Sequence, residues 1–254
     1  MAAGGAGSPA ALENVRLVAI DPTEDADPVA RILGAVRRAV AAVAGVGFAA
    51  PAEAAVEASP IVTRRQWGAD ESLREGRPDY AAVKMAFIHH TASGNTYTAA
   101  EASAVMRAIY AYHTRGLGWS DIGYNFLVDR FGSIHEGRYG GMKRGVVGAQ
   151  VLGFNTGSTG ISVTGNFAGD APPTAALASL EKLLAWKLRI HGPDPRGAAR
   201  LTCDASDKYA RGARVTLPVI ARPTTRSAPA TSSIIALAKA TPERFSPNGA
   251  GAID

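Results

Sequence analysis

Ile88-His89-His90-Thr91 closes an apolar run that begins at Ala86-Phe87, and further along comes Asp121-Ile122-Gly123-Tyr124-Asn125-Phe126. The apolar run reads as a buried strand carrying a histidine to its end, and Tyr124-Asn125 as the start of a second strand. A neutral imidazole is a zinc ligand, and a phenol hydroxyl can donate to a carbonyl oxygen that gains charge during acyl transfer. Histidine for a metal and tyrosine for a carbonyl is the layout of a zinc hydrolase. Such a site needs further protein ligands, and the rest of the chain either supplies them or does not.

The elements that would position these residues follow from periodicity. Val83 to His89 reads as a buried strand. Thr98 to Thr114 reads as a helix, with Ala104, Val105, Ala108, Ile109 and Tyr112 on one face, stopped by Gly116-Leu117-Gly118. Phe126 to Asp129 and Ser133 to Glu136 make a hairpin around Arg130-Phe131-Gly132; Gly160 to Gly165 is another strand; Thr174 to Ile190 is a second amphipathic helix; Arg214 to Ala221 is a last strand. Strands alternating with helices give an α/β domain, a mixed central β-sheet with helices on both faces. Trp67 is expected to pack against it. Before it, Val15 to Ile20 reads as a strand, Asp27-Pro28 starts a helix whose apolar face runs Val29, Ile32, Leu33, Val36, Val40 and Val43, and Ala49 to Pro60 is an Ala/Pro/Glu-rich linker. The expected division is an N-terminal extension over 1–60, a domain over 61–240 and a tail over 241–254.

With 254 residues, 46% of them hydrophobic, the chain can bury a sizeable core. The net charge of +5 is uneven: residues 181–254 hold 12 Lys/Arg against 6 Asp/Glu, and the remainder carries 15 against 16. A basic C-terminal third suits anionic partners such as cell-wall polymers, but no interleaving of aromatic and basic residues supports nucleic acid. No apolar run is long enough to span a membrane. Met1 is followed by Ala, Gly and Ser rather than by a basic start and an apolar run, so no signal peptide is read there. The lone Cys203 excludes an intrachain disulfide. Oligomeric state leaves no trace in the sequence.

Five segments in order carry a resemblance: Ile61-Val62-Thr63-Arg64-Arg65-Gln66-Trp67-Gly68-Ala69, Ile88-His89-His90-Thr91-Ala92, Gly118-Trp119-Ser120-Asp121-Ile122-Gly123-Tyr124-Asn125-Phe126, Glu136-Gly137-Arg138, and Gly148-Ala149-Gln150-Val151-Leu152-Gly153-Phe154-Asn155. From about Ile61 to Ala221 the chain resembles the peptidoglycan recognition proteins and the zinc-dependent N-acetylmuramoyl-L-alanine amidases, in the form found in actinobacteria. The resemblance implies hydrolysis of the amide between the muramic lactyl group and L-alanine, by a zinc held by two His and one Cys. It makes His89 the first zinc ligand and Tyr124 the catalytic tyrosine. It places His90 and Thr91 at the wall of the site, Arg138 and Asn155 along the substrate groove, and His113 and Trp119 beside it. Peptidoglycan or muropeptides are the implied partner, and a secreted or wall-associated location follows from that function.

One part of the pattern is missing. The family's second His and its Cys should follow the last strand, eight residues apart. Counted without gaps, they fall on Pro223 and Thr231, and the histidine usual in the groove is Gln150. His191 and Cys203 match no ligand position. Zinc is therefore implied by the family and doubtful in this chain. Two accounts stand: a relative that keeps the groove and binds peptidoglycan without cutting it, or a frameshift, since codons for Cys-Pro-Gly-Asp displaced by one base read Ala-Pro-Ala-Thr, the sequence of Ala228 to Thr231. Reading the nucleotides across Val219 to Ser233 in every frame separates the two. A structural protein that has lost both binding and catalysis is the third class.

Overall fold

The computed structural model describes residues 60–167 and 171–222. The strand, helix and linker expected before Pro60, the positions Pro223 and Thr231, and the tail over 241–254 lie outside the described residues. Within them the chain runs β1 (Ile61–Val62), α1 (Arg64–Trp67), β2 (Met85–His90), α2 (Ala102–Ala111), β3 (Phe126–Val128), β4 (Ile134–Glu136), β5 (Ser158–Val163), α3 (Thr174–His191), β6 (Ala198–Thr202), β7 (Arg214–Pro218) and β8 (Ile220–Ala221). Strands β1-β4-β3-β5-β2-β8 form one sheet, in which only β3 and β4 pair antiparallel; the others run parallel.

Side chains alternate across this sheet, and each face has its own core. Phe126 and Val128 point into a cluster with Leu180, Leu183 and Leu184 of α3, whereas Leu127 points the other way, into a cluster with Val105, Met106 and Ile109 of α2. The mixed sheet with helices on both faces is as the sequence implies. Trp67 is fully buried in the α2 cluster, edge-on to Tyr110, and its indole N–H donates to the Glu136 carbonyl at 2.8 Å.

Two elements differ from their reading in the sequence, and one strand went unread. The expected last strand, Arg214 to Ala221, is two strands. β7 pairs antiparallel with β6 in a separate small sheet; Val219 then donates to the Gly197 carbonyl, and β8 joins the main sheet beside β2. Pro218 ends β7 because it has no N–H to extend the ladder. β6 itself, Ala-Ala-Arg-Leu-Thr, is too poor in strand formers to stand out. The helix read as Thr98 to Thr114 is α-helical only over Ala102–Ala111; Tyr112–Gly116 is a π-turn, its Tyr112 carbonyl accepting from the Leu117 N–H at 3.0 Å. Such bulges rotate the side chains they contain and recur at functional sites; this one turns His113 inward.

The β3–β4 hairpin is held by a buried carboxylate. Asp129 Oδ1 accepts from the Phe131 and Ser133 N–H groups at 2.9 Å, and Oδ2 lies 3.1 Å from His135 Nε2. Burial alone would raise this carboxyl, but the His135 hydrogen bond and the backbone donors outweigh it and hold it below the ordinary aspartate range. A carboxylate with a depressed folded pKa adds stability above its unfolded value, near 3.9, and loses it as pH falls through the folded value. The expected result is a thermal midpoint that drops below about pH 4 in wild type and drops less in Asp129→Asn. Parallel pH profiles in a melting series would sink that assignment.

Candidate active-site groove

His89 is the fifth residue of β2. The register sets His89 against Ser162 of β5, and Ser162 against Leu127 of β3. All three share the α2 face, so alternation along β2 sends His89 to that face and His90 to the opposite one. His89 is half-buried. Its Nε2 is sealed from solvent with no hydrogen-bond partner. Burial, and next the neighbouring His90, lower the imidazole to about 3, so the ring is neutral.

Tyr124 lies 5.3 Å from His89, ring to ring. Burial raises its phenol well above the ordinary tyrosine range; Ser162 draws it the other way, although the Ser162 hydroxyl closes no hydrogen bond. On the far side of Tyr124, at 5.5 Å, is His113, which stacks on the half-buried Trp119 at 4.7 Å. His113 Nδ1 accepts from the Gly123 N–H at 3.1 Å. That bond assigns the proton to Nε2. Burial, with Arg138 nearby, lowers His113 to about 3. His89, Tyr124, His113 and Trp119 thus form one row of rings.

The other residues singled out from the sequence are mostly tied to backbone. Arg138 donates to the Ile122 carbonyl at 3.2 Å and to Ser120 Oγ at 3.0 Å, stapling the segment that leads into Tyr124. Gln150 is buried over the Gly160 backbone, with Nε2 donating to Ser158 Oγ and Oε1 left without a partner. Asn155 Oδ1 accepts from the Val151 N–H and closes its own turn. His90, the last residue of β2, and two side chains after it capture three consecutive N–H groups: Thr91 Oγ1 takes Gly165, Asn95 Oδ1 takes Asn166, and His90 Nδ1 takes Phe167, at 2.8–2.9 Å. His90 and Thr91 therefore latch two loops together.

Gly137 shows how tightly Tyr124 is placed. A methyl here would run into the Tyr124 carbonyl oxygen, which already accepts from the Arg138 N–H. Backbone cannot yield as a side-chain tip can, so Gly137→Ala is expected to cost about 1–3 kcal/mol. A thermal midpoint unchanged in that variant would contradict the placement.

Zinc, as the resemblance implies it, does not fit these residues. All five histidines and the single cysteine lie within the described residues. Among the described residues, no three His, Cys, Asp or Glu side chains converge to hold an ion. Cys203 is buried with Sγ toward Ser206 and the Tyr209 carbonyl, and His191 ends α3. A ligand histidine ordinarily has its second ring nitrogen tied to an oxygen; the Nε2 of His89 has no such partner.

Two signals in this site were not read from the sequence. One is the π-turn that delivers His113. The other is Arg64, buried beneath the segment that carries Tyr124, with a 3.0 Å bond to Asp121.

The chain is 40% identical over 129 residues to peptidoglycan-recognition protein LE of Drosophila melanogaster, covering 51% of this chain and 36% of that protein. It is 35% identical over 128 residues to peptidoglycan-recognition protein SA of the same organism, covering 49% and 59%. The alignments thus span between about one third and three fifths of these relatives' lengths. Among solved structures, peptidoglycan recognition protein LE in complex with tracheal cytotoxin aligns with a TM-score of 0.46 at 36% identity, covering 51% of this chain and 74% of that one. Residues 79–214, more than half of the chain, match the N-acetylmuramoyl-L-alanine amidase family. On that match, which takes in His89, Tyr124 and the groove segments between them, the chain belongs to the N-acetylmuramoyl-L-alanine amidase family.

Proposed function

We propose that this chain is a peptidoglycan-directed domain of amidase descent that binds muropeptides in its groove and does not hydrolyse them. The observation that carries this reading is His89 standing alone. A zinc hydrolase of this type needs three protein ligands and one open position for water, and among the described residues no three such side chains converge on one point. Counted without gaps, the family's second histidine falls on Pro223, and a proline side chain offers a metal nothing. Tyr124 and its neighbours are retained, which supports recognition over loss of both functions. The domain spans about residues 61–240, the protein acts outside the cell or at the wall, and its Arg-, Ala- and Gly-rich composition supports an actinobacterial type. No helix among the described residues is long and apolar enough to cross a membrane.

Sedimentation with insoluble peptidoglycan is the test. The expected result is saturable co-sedimentation, with no release of new L-alanine amino groups above buffer on prolonged incubation. Steady release of such amines would overturn the non-catalytic reading; failure to co-sediment would overturn the binding reading.

A further inference from the structure

The small sheet of β6 and β7 packs one side inward and leaves the other open. Ala199, Leu201, Val215 and Leu217 join the cluster that α3 covers, not the α2 cluster whose face carries His89. Alternation then sends Ala198, Arg200 and Thr202 of β6 and Arg214, Thr216 and Pro218 of β7 outward, and all six are exposed. The register sets Arg200 against Thr216 and Thr202 against Arg214. The two arginines are therefore diagonal neighbours, about 7–8 Å apart. Neither guanidinium has an ion pair or hydrogen bond among the described residues, and no carboxylate stands on that face. Two cations on one diagonal repel each other and give the ribbon nothing. The chain around them adds to the charge. Asp194 pairs with Arg196 at 3.5 Å, which leaves Arg200, Lys208, Arg211 and Arg214 against Asp204 and Asp207 over residues 194–214.

A guanidinium is a planar fork of donors that fits a phosphate, and the Thr202 and Thr216 hydroxyls on the same face are further donors. The face lacks what other polyanionic surfaces require. It has no ring on which bases could stack: Tyr209, the one aromatic residue between Ala198 and Pro218, lies edge-on to Phe154. It has no large apolar side chain to enter a lipid surface. We propose that the outward face of the β6–β7 ribbon docks a flexible polyol-phosphate chain, with Arg200 and Arg214 each holding one phosphate. The contact is separate from the groove. Its use, to hold the domain beside peptidoglycan through an anionic polymer of the wall, rests on the wall-directed reading above.

The test titrates the full chain with soluble poly(glycerol phosphate). Wild type is compared with Arg200→Gln/Arg214→Gln and with Arg65→Gln/Lys182→Gln, which removes two exposed charges from α1 and α3 instead. Wild-type binding is expected to weaken as salt rises toward about 0.15 M. The ribbon variant is expected to bind about tenfold more weakly, and the other double variant about as well as wild type. Both should melt where wild type does, since exposed side chains without partners carry little of the fold. Sedimentation with peptidoglycan stripped of phosphate should be the same in all three proteins. No binding of poly(glycerol phosphate) by wild type, or equal affinity in the ribbon variant, would overturn the proposal. So would an equal loss in Arg65→Gln/Lys182→Gln, which would make net charge the cause. Tighter binding of duplex DNA or of phosphatidylglycerol vesicles than of poly(glycerol phosphate) would also overturn it, giving the face to another polyanion. Polymer binding that the ribbon variant loses, in a protein that does not sediment with stripped peptidoglycan, would uphold this surface and overturn the groove reading alone.

Discussion

Purified protein dialysed against zinc and then against metal-free buffer is expected to retain no stoichiometric zinc by elemental analysis. The magnitude follows from counting ligands. Structural sites with four ligands bind zinc by roughly 10–16 kcal/mol, or about 3 kcal/mol per ligand. Losing two ligands removes about 6 kcal/mol, on the order of 10⁴-fold in affinity, and moves a nanomolar site to about 10 micromolar or weaker. His89 is worse placed than that count suggests, because its buried Nε2 has no oxygen to orient the ring. His89→Ala should therefore leave the zinc content where it was. One zinc per chain that survives dialysis, and that His89→Ala removes, would mean that other residues complete the site, and the amidase activity would have to be reopened. Hydrolysis by this groove and tight zinc binding stand or fall together, so the measurement decides both.

How far the sequence carries this conclusion depends on the range of the interactions involved. β2 and α3 are legible because each is a run of apolar residues at the period of its element. The β3–β4 hairpin is legible because Gly132 and the flanking alternation are local. His89 and Tyr124 are legible as site residues because motif spacing survives without knowledge of contacts. What is hidden is long-range or depends on hydrogen-bond detail. Lys187 falls on the same helical face as Leu180, Leu183 and Leu184, but its own segment does not say what a lysine there bonds to. It is 2% exposed, with Nζ donating to the Met142 and Arg144 carbonyls at 2.7 Å, and burial lowers it to about 8. Nothing within four residues of Lys187 announces those carbonyls. Likewise, Arg138 and Asn155 are charged or polar residues in groove segments, and sequence cannot tell a side chain that waits for ligand from one that bonds its own backbone. Val219 is a third case: the step from β7 to β8 is one residue long, and a continuous apolar run conceals it.

Arg64→Ala is expected to be the most destabilising single change in the described structure. The guanidinium is 4% exposed. It meets Glu71 with two bonds, Nε at 2.8 Å and Nη2 at 3.1 Å, while Nη1 donates to Asp121 Oδ1 at 3.0 Å and to the Gly137 carbonyl. It also sits over the Tyr110 and Trp67 rings, at 4.8 Å and 5.5 Å. Asp121 is 3% exposed, and its oxygens also accept from the Ile122 and Tyr139 N–H groups. Removing Arg64 strands that carboxylate in the interior without its cation. Breaking a buried pair from one side costs about 3–5 kcal/mol, on the order of 10 °C in the melting midpoint for a domain of this size. Arg64→Lys should recover little, because an ammonium cannot span Glu71, Asp121 and the Gly137 carbonyl as a planar fork does. Arg64→Met combined with Asp121→Asn should recover more than Arg64→Lys, since it leaves no unpaired buried charge. The same carboxylate fixes the Ile122 and Tyr139 backbone on either side of Tyr124, so ligand affinity should fall with stability in Arg64→Ala and return with it in the double variant. A midpoint for Arg64→Ala within about 1 °C of wild type would show that the surface pair with Glu71, and not the buried one with Asp121, is the contact that Arg64 makes in solution.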